Sequence, residues 1–205
     1  EYASFMREIG FIQGAASPCV FIHPTRNLAT SVHGDDFTTC GPKKELDWFE
    51  DWLEGRYELK KGGRLGPGSA DCKELTVLNR VLRWTDDGLE YEADPRRCGR
   101  LLEGLGLDDS CNGAATPGIK PLPAQLDTEE VLPQEEQSTF RALSARANYV
   151  SADRVDLQYA SKECCRFMSN PGTLAQLALK RLGRYTLKHK RLVYKFPWQT
   201  ATHID

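Results

Sequence analysis

The 205-residue sequence predicts an α+β fold: an antiparallel β-meander with accompanying helices, followed by a helical subdomain. Two observations carry this. Short runs of β-branched and aromatic residues, each closed by Gly, Pro, Asn or Asp, recur as far as Glu92. From Gln134 onward, apolar residues recur instead at intervals of three and four, the period of a helix with one buried face. A composition of 40% hydrophobic and 27% charged residues suits a globular chain able to bury a core. There is no apolar run of about 18 residues, so no membrane span is predicted.

In chain order, residues 1–11 read as the end of an amphipathic helix, with Ala3, Phe5, Met6 and Ile9 on its apolar side and Gly10 as C-cap. The chain opens on Glu1 with no signal-peptide pattern and is expected to be a piece of a longer one. Residues 19–23 and 28–32 read as strands around a turn at 24–27, and 37–40 completes a three-stranded meander. Pro42 opens a helix to about Gly55 that buries Leu46, Phe49 and Leu53, with Trp48 and Trp52 beside them. Residues 57–60 are expected as a strand, before a Gly-rich loop at 62–68.

Residues 74–84 and 89–92 alternate across Asp86-Asp87-Gly88, a hairpin signal. Asp94 and Pro95 are an N-cap and a first-turn proline, opening a helix that carries Leu101 and Leu102. Residues 108–132 are rich in Pro, Gly and Asp and read as an extended linker. Three helices are predicted beyond it. The first, 134–150, buries Phe140, Leu143, Ala147 and Val150; the second, 156–169, buries Leu157, Ala160, Cys164 and Phe167. The third, 173–189, buries Leu177, Leu182 and Tyr185, and 192–196 returns to strand. The expected domains are 1–126, 127–191 and the start of a linker at 192–205.

The net charge of −2 hides an asymmetry. From Arg141 onward there are 12 Lys and Arg against 4 Asp and Glu, a net of +8, while the first 140 residues hold 15 basic and 25 acidic, a net of −10. Such a split points to a polyanion-binding portion, although a basic helical face is equally a means of staying hydrated. Seven cysteines without a CxxC pair argue against a disulfide scaffold or a zinc site and for a reducing compartment.

The stretch of sharpest chemistry is His33-Gly34-Asp35-Asp36, between two strand-like runs. Gly first in a tight loop suits a primed hairpin turn, which needs positive φ there. Two neighbouring carboxylates repel unless a cation neutralises them, and Mg²⁺ is the usual oxygen-seeking partner. Read alone, the same residues are also an ordinary solvated turn.

Taken together, several stretches resemble the reverse transcriptase of copia-type retrotransposons. Gly10-Phe11 and Pro18-Cys19-Val20-Phe21 are similar to the segment before that family's catalytic hairpin, and His33-Gly34-Asp35-Asp36 sits where the family carries Tyr-x-Asp-Asp. Tyr57-Glu58-Leu59-Lys60, Leu78-Asn79-Arg80-Val81, and Leu101-Leu102 through Ala115-Thr116-Pro117 resemble the regions that follow. Phe140-Arg141-Ala142-Leu143, Asp153 to Leu157, Arg166-Phe167-Met168 and Lys180 to Tyr185 look like its helical C-terminal portion. His33 stands in place of the customary Tyr, and Gly34 makes a Gly-Asp-Asp box.

The resemblance implies a palm-type meander followed by a helical thumb-like subdomain. It implies Asp35 and Asp36 as catalytic carboxylates and ligands of Mg²⁺ (Mn²⁺ as substitute), with a third carboxylate on a strand expected before Glu1. The implied partners are an RNA or DNA template-primer, dNTPs and the rest of a polyprotein: upstream palm and fingers, downstream ribonuclease H. His33 and Gly34 would meet nucleic acid at the hairpin, and Lys180, Arg181, Arg184, Lys188, Lys190 and Arg191 would meet phosphates along the last helix. No membrane partner is implied, and an intracellular particle or the nucleus is the expected location. The alternative is a degenerate, inactive transposon remnant serving as a nucleic-acid or protein binding module.

Overall fold

A computed structural model describes residues 2–120 and 130–199. It has the predicted α+β character: helices and two four-stranded antiparallel sheets. The chain divides into two compact units, 1–62 and 63–205. No helix among the described residues is long and apolar enough to cross a membrane.

The first unit is a sheet covered on one face by two helices. Helix α1 (Tyr2–Glu8) leads into strands β1 (Ile12–Gln13), β2 (Val20–His23), β3 (Leu28–His33) and β4 (Asp36–Cys40), and α2 (Lys43–Arg56) follows. The sheet order is β1-β2-β3-β4, one strand more than the predicted meander. Alternation along the strands decides which face is covered: Phe21, Leu28, Thr30 and Val32 are buried, while Ile22, Ser31 and His33 are exposed. Phe21, Leu28 and Val32 pack with Phe5, Met6, Ile9, Phe11, Phe49 and Leu53 in one apolar cluster. Residues 57–60, expected as a strand, form no ladder. Tyr57 and Leu59 pack against that cluster in strand-like alternation, but no neighbouring strand offers its backbone.

The second unit combines a sheet with a helical bundle. Strands β5 (Glu74–Val77), β6 (Arg80–Thr85) and β7 (Gly88–Ala93) precede helix α3 (Pro95–Gly104), and α4 (Gln134–Ser151), α5 (Val155–Cys165) and α6 (Thr173–Lys188) lead to β8 (Val193–Pro197). The predicted strand at 74–84 is two strands, because Leu78 and Asn79 both adopt positive φ (48° and 64°) and turn the chain. Leu-Asn lacks the usual Asn-Gly signature of such a turn, so the pattern hid it. Asp94 caps α3 as predicted, accepting from the Arg96 N–H at 3.0 Å.

The division expected at 126/127 is not where the compact units part. That position falls among 121–129, outside the described residues, and the β5–β7 hairpins belong with the helices. Helix α3 shares the bundle core through Cys98 and Leu101, beside Phe140, Leu143, Ala147, Val150, Leu157 and Leu182. Tyr91 Oη and Arg80 Nε both donate to Asp153 Oδ1, at 2.6 and 3.0 Å, tying β6 and β7 to the α4–α5 corner. Strand β8 pairs antiparallel with β7 and completes the second sheet, so 193–197 is structural rather than the start of a linker. The described part of the expected 108–132 linker is likewise engaged: Ala114 N–H donates to the Arg184 carbonyl of α6 at 3.1 Å. Two predicted core residues are exposed. Leu177 lies on the outer side of α6, which buries Ala175, Leu179 and Leu182 instead, and Phe167 lies beyond the end of α5 at Cys165.

At the centre of this unit is Arg154, 1% exposed. It donates to Asp156 from Nε (2.9 Å) and Nη2 (2.7 Å), to the His189 carbonyl (2.8 Å) and to the Lys190 carbonyl (3.3 Å). One guanidinium thereby fastens the start of α5 to the chain leaving α6. Arg154→Met would leave a carboxylate and two carbonyls without their donor, so urea denaturation is expected to show a loss of about 3–5 kcal/mol. Adding Asp156→Leu, which removes the stranded charge, is expected to restore part of it; no recovery would mean the pair is not coupled.

A second ionic cluster joins β6, β7 and the approach to β8. Glu92 accepts from Arg191 Nε (2.5 Å) and Nη2 (2.8 Å) and from Arg83 Nη1 (2.7 Å). These bonds, Arg191's foremost, hold the Glu92 carboxyl down from its ordinary 4.5 to about 2, against the opposing effect of burial. The folded value lies below the unfolded one, so this contribution is whole above about pH 4.5 and is lost as pH falls towards about 2. Urea midpoints followed across that window are expected to drop more steeply for the native chain than for Glu92→Gln. Parallel curves would remove Glu92 from the acid response.

Candidate functional site

Pairing of His33 with Asp36 leaves Gly34 and Asp35 as a two-residue loop at the tip of the β3–β4 hairpin. Gly34 takes φ +62° and Asp35 does not enter the positive region, the backbone pattern of a II′ turn with Gly first. The alternation that turns buried Val32 and half-buried Phe37 to the helix-covered face turns His33 and Asp36 to the open face. All four residues of the box are exposed. A Cβ at Gly34 would have nothing within 4 Å, so the glycine serves the turn, and space at the tip is open.

Among the described residues none forms a hydrogen bond or ion pair with the side-chain carboxylate of Asp35 or Asp36. Below the tip, Thr30 Oγ1 and Thr39 Oγ1 are hydrogen-bonded at 3.1 Å, fixing the register that places the aspartates. The donor chemistry suits a hard divalent cation: two carboxylates without a cationic side chain competing for them. Such an ion usually takes one or two protein carboxylates and fills its shell with water and substrate phosphates. No group of three or more His, Cys, Asp or Glu among the described residues is arranged to hold a metal, so Asp35 and Asp36 would hold it only together with other oxygen ligands.

The six basic residues predicted along the last helix part into two sets. Lys180, Arg184 and Lys188 lie four residues apart on α6, are exposed, and form one stripe. The other three are engaged within the fold. Arg181 is half-buried and donates to Thr116 Oγ1 at 2.9 Å, Lys190 pairs with Asp109 at 2.6 Å, and Arg191 is held by Glu92. The Lys190–Asp109 pair is exposed and contributes little to stability. Arg191, bonded twice to a buried carboxylate, is a structural residue. Sequence spacing alone could not separate the sets, because the partners lie 65, 81 and 99 residues away.

No protein-family model, no curated protein and no solved structure matches this chain.

The stripe gives a direct expectation for duplex nucleic acid, measured by anisotropy of a labelled duplex. Reversal of Lys180, Arg184 and Lys188 to Glu should weaken binding strongly and reduce its salt dependence by roughly three counterions. Reversal of Arg181 should instead lower stability. Equal loss from any basic substitution in the chain would dissolve the distinction between the sets.

Proposed function

We propose that these residues form part of an RNA-directed DNA polymerase of the copia retrotransposon type, in which Asp35 and Asp36 hold the divalent cation that serves nucleotidyl transfer. The observation that carries the proposal is the hairpin tip: two exposed, unpaired carboxylates on a II′ turn, at the edge of a sheet whose opposite face is sealed by helices. The sequence resemblance, spread over nearly the whole chain, supports the same reading.

In this reading the β3–β4 ladder supplies position. The hairpin presents Asp35 and Asp36 with little freedom, and a glycine at the tip leaves room for a primer end. Bound Mg²⁺ or Mn²⁺ supplies charge stabilisation at the attacking 3′ oxygen and the leaving pyrophosphate. Asp35, in the loop itself, is the more important ligand, and Asp36, opposite His33, assists. His33 lies within the same exposed patch, where an imidazole can meet a nucleotide. The stripe of Lys180, Arg184 and Lys188 accounts for grip on a duplex by its phosphates, without reading sequence.

The second reading, an inactive remnant that binds nucleic acid or a protein, is favoured by His33 standing where the resembling family carries Tyr. Two measurements separate the readings. In the 205-residue chain, Mn²⁺ is expected to broaden the amide resonances around Gly34 to Asp36, weakly and in the millimolar range, and Asp35→Asn should remove the effect. In a chain extended upstream to carry the third carboxylate, primer extension is expected, and Asp35→Asn should reduce it by more than about 100-fold. Extension that survives Asp35→Asn would reduce the hairpin to a turn. Its absence from the extended chain would favour the remnant.

A further inference from the structure

Between α3 and α4, beside the turn at Leu78–Asn79, lies an open cleft of about 460 Å³ whose lining includes Asn79, Arg96, Arg97, Arg100, Arg146 and Tyr149. The volume is that of a small-ligand site. Its charge is one-sided. Asp94 is the one carboxylate in the lining, and it is already occupied, accepting from the Arg96 backbone N–H at 3.0 Å and from Arg96 Nε at 2.9 and 3.1 Å. Arg97, Arg100 and Arg146 form no ion pair among the described residues, although Asp94 lies near enough to Arg97 to feel its charge.

Two of these three guanidinium groups are nevertheless held in place by uncharged contacts. The Arg97 guanidinium lies over the Tyr149 ring, 4.1 Å from its centroid, and Arg146 Nη1 donates to the Arg100 carbonyl across the cleft at 3.0 Å. A stacked guanidinium keeps its in-plane N–H donors free, and Arg146 has spent one donor of five. Three cations lining one cleft repel, and an anion between them would relieve that repulsion through charge-assisted hydrogen bonds. Tyr149 is 58% exposed, so its ring is accessible to a ligand in the cleft. Converging arginines beside an exposed aromatic ring are the combination that binds a nucleotide unit, phosphate on the cations and base on the ring.

We infer that the cleft between α3 and α4 binds a nucleotide unit, its phosphate taken by Arg97, Arg100 and Arg146 and its base placed against Tyr149. The unit is either a free nucleotide or one residue of a single strand, since both present a phosphate joined to an unpaired base. A duplex offers phosphates but keeps its bases stacked inside. The inference stands apart from the polymerase reading, since the cleft contains neither Asp35 nor Asp36.

The test uses the whole 205-residue chain with four probes: pyrophosphate, a nucleoside triphosphate, a labelled oligothymidylate and a duplex of the same length. The triphosphate and the oligothymidylate are expected to bind and to compete with each other. If three phosphate charges on the strand are neutralised, a fourfold rise in salt should weaken its binding about 20-fold. Arg100→Glu with Arg146→Glu should cost about 10-fold or more, since each is a hydrogen bond to a charged group. Both side chains are exposed, and circular dichroism checks the fold; Arg100→Gln with Arg146→Gln serves if the reversals unfold the chain.

Tyr149→Ala is expected to cost the triphosphate and the strand about 10-fold, and to cost pyrophosphate, which loses only the seat of Arg97, distinctly less. Lys43→Glu with Lys44→Glu, at the start of α2, should leave triphosphate binding intact. Failure of the triphosphate and the strand to bind at low salt, or binding indifferent to the Arg100 and Arg146 changes, overturns the site. Indifference to Tyr149→Ala, or preference for the duplex, overturns the nucleotide assignment.

Discussion

The second unit depends on one buried cation. Arg154 sits with its guanidinium out of water, and desolvating such a charge costs several kcal/mol unless every donor finds an acceptor. The acceptors come from two places in the chain: Asp156, the second residue of α5, and the consecutive carbonyls of His189 and Lys190 just past α6. The Cys98 sulfur of α3 adds a weak contact at 3.6 Å. The arrangement specifies more than it stabilises. An apolar core of Leu, Ala and Phe tolerates sliding of one helix on another, whereas a fork-shaped donor set is satisfied in one alignment. The neighbouring residue extends the clamp, since Asp153 accepts from Arg80 and Tyr91 of the sheet. Two consecutive residues, one cation and one anion, thus set the register of helices and strands alike.

In the first unit the governing constraint is the period of two. Leu28, Thr30 and Val32 must face the helices, so Ser31 and His33 cannot. The turn then places Asp36 opposite His33 on the open face, with Asp35 at the apex. The exposure of the acidic tip is therefore a by-product of turning Val32 and Phe37 toward the helices. A slip of one residue would bury the carboxylates and expose the core, which the packing energy of this unit forbids.

Local chemistry was legible in the sequence, and long-range partnership was not. The II′ turn at Gly34, the Asp94–Pro95 helix start and the buried face of α4 each follow from residues within a few positions of one another. The Leu78–Asn79 turn escaped because neither residue ordinarily advertises positive φ. The two sets of basic residues could not be told apart, because Arg181, Lys190 and Arg191 find their partners at Thr116, Asp109 and Glu92. The arginine cleft was invisible for the same reason: Arg97 and Arg100 meet Arg146 and Tyr149 only when α3 and α4 pack together. The expected boundary near residue 127 followed a change in composition, and composition carries no information about β8 returning to β7.

That return has an entropic side. Glu92 pairs with Val193, closing a loop of about 100 residues, at an entropic cost of about 4 kcal/mol for a flexible chain. The helices between the two strands lower that cost once they have packed. Without β8, β7 is a bare sheet edge, rich in alternating side chains and free to pair with another chain. Trp198 acts as a latch on the closing strand. Its ring lies 4.3 Å from that of Trp84, and its N–H groups reach the Asp87 and Thr85 carbonyls at 3.0 and 3.1 Å. Removing the chain from Val193 onward would therefore leave the β7 edge open to pairing with another chain.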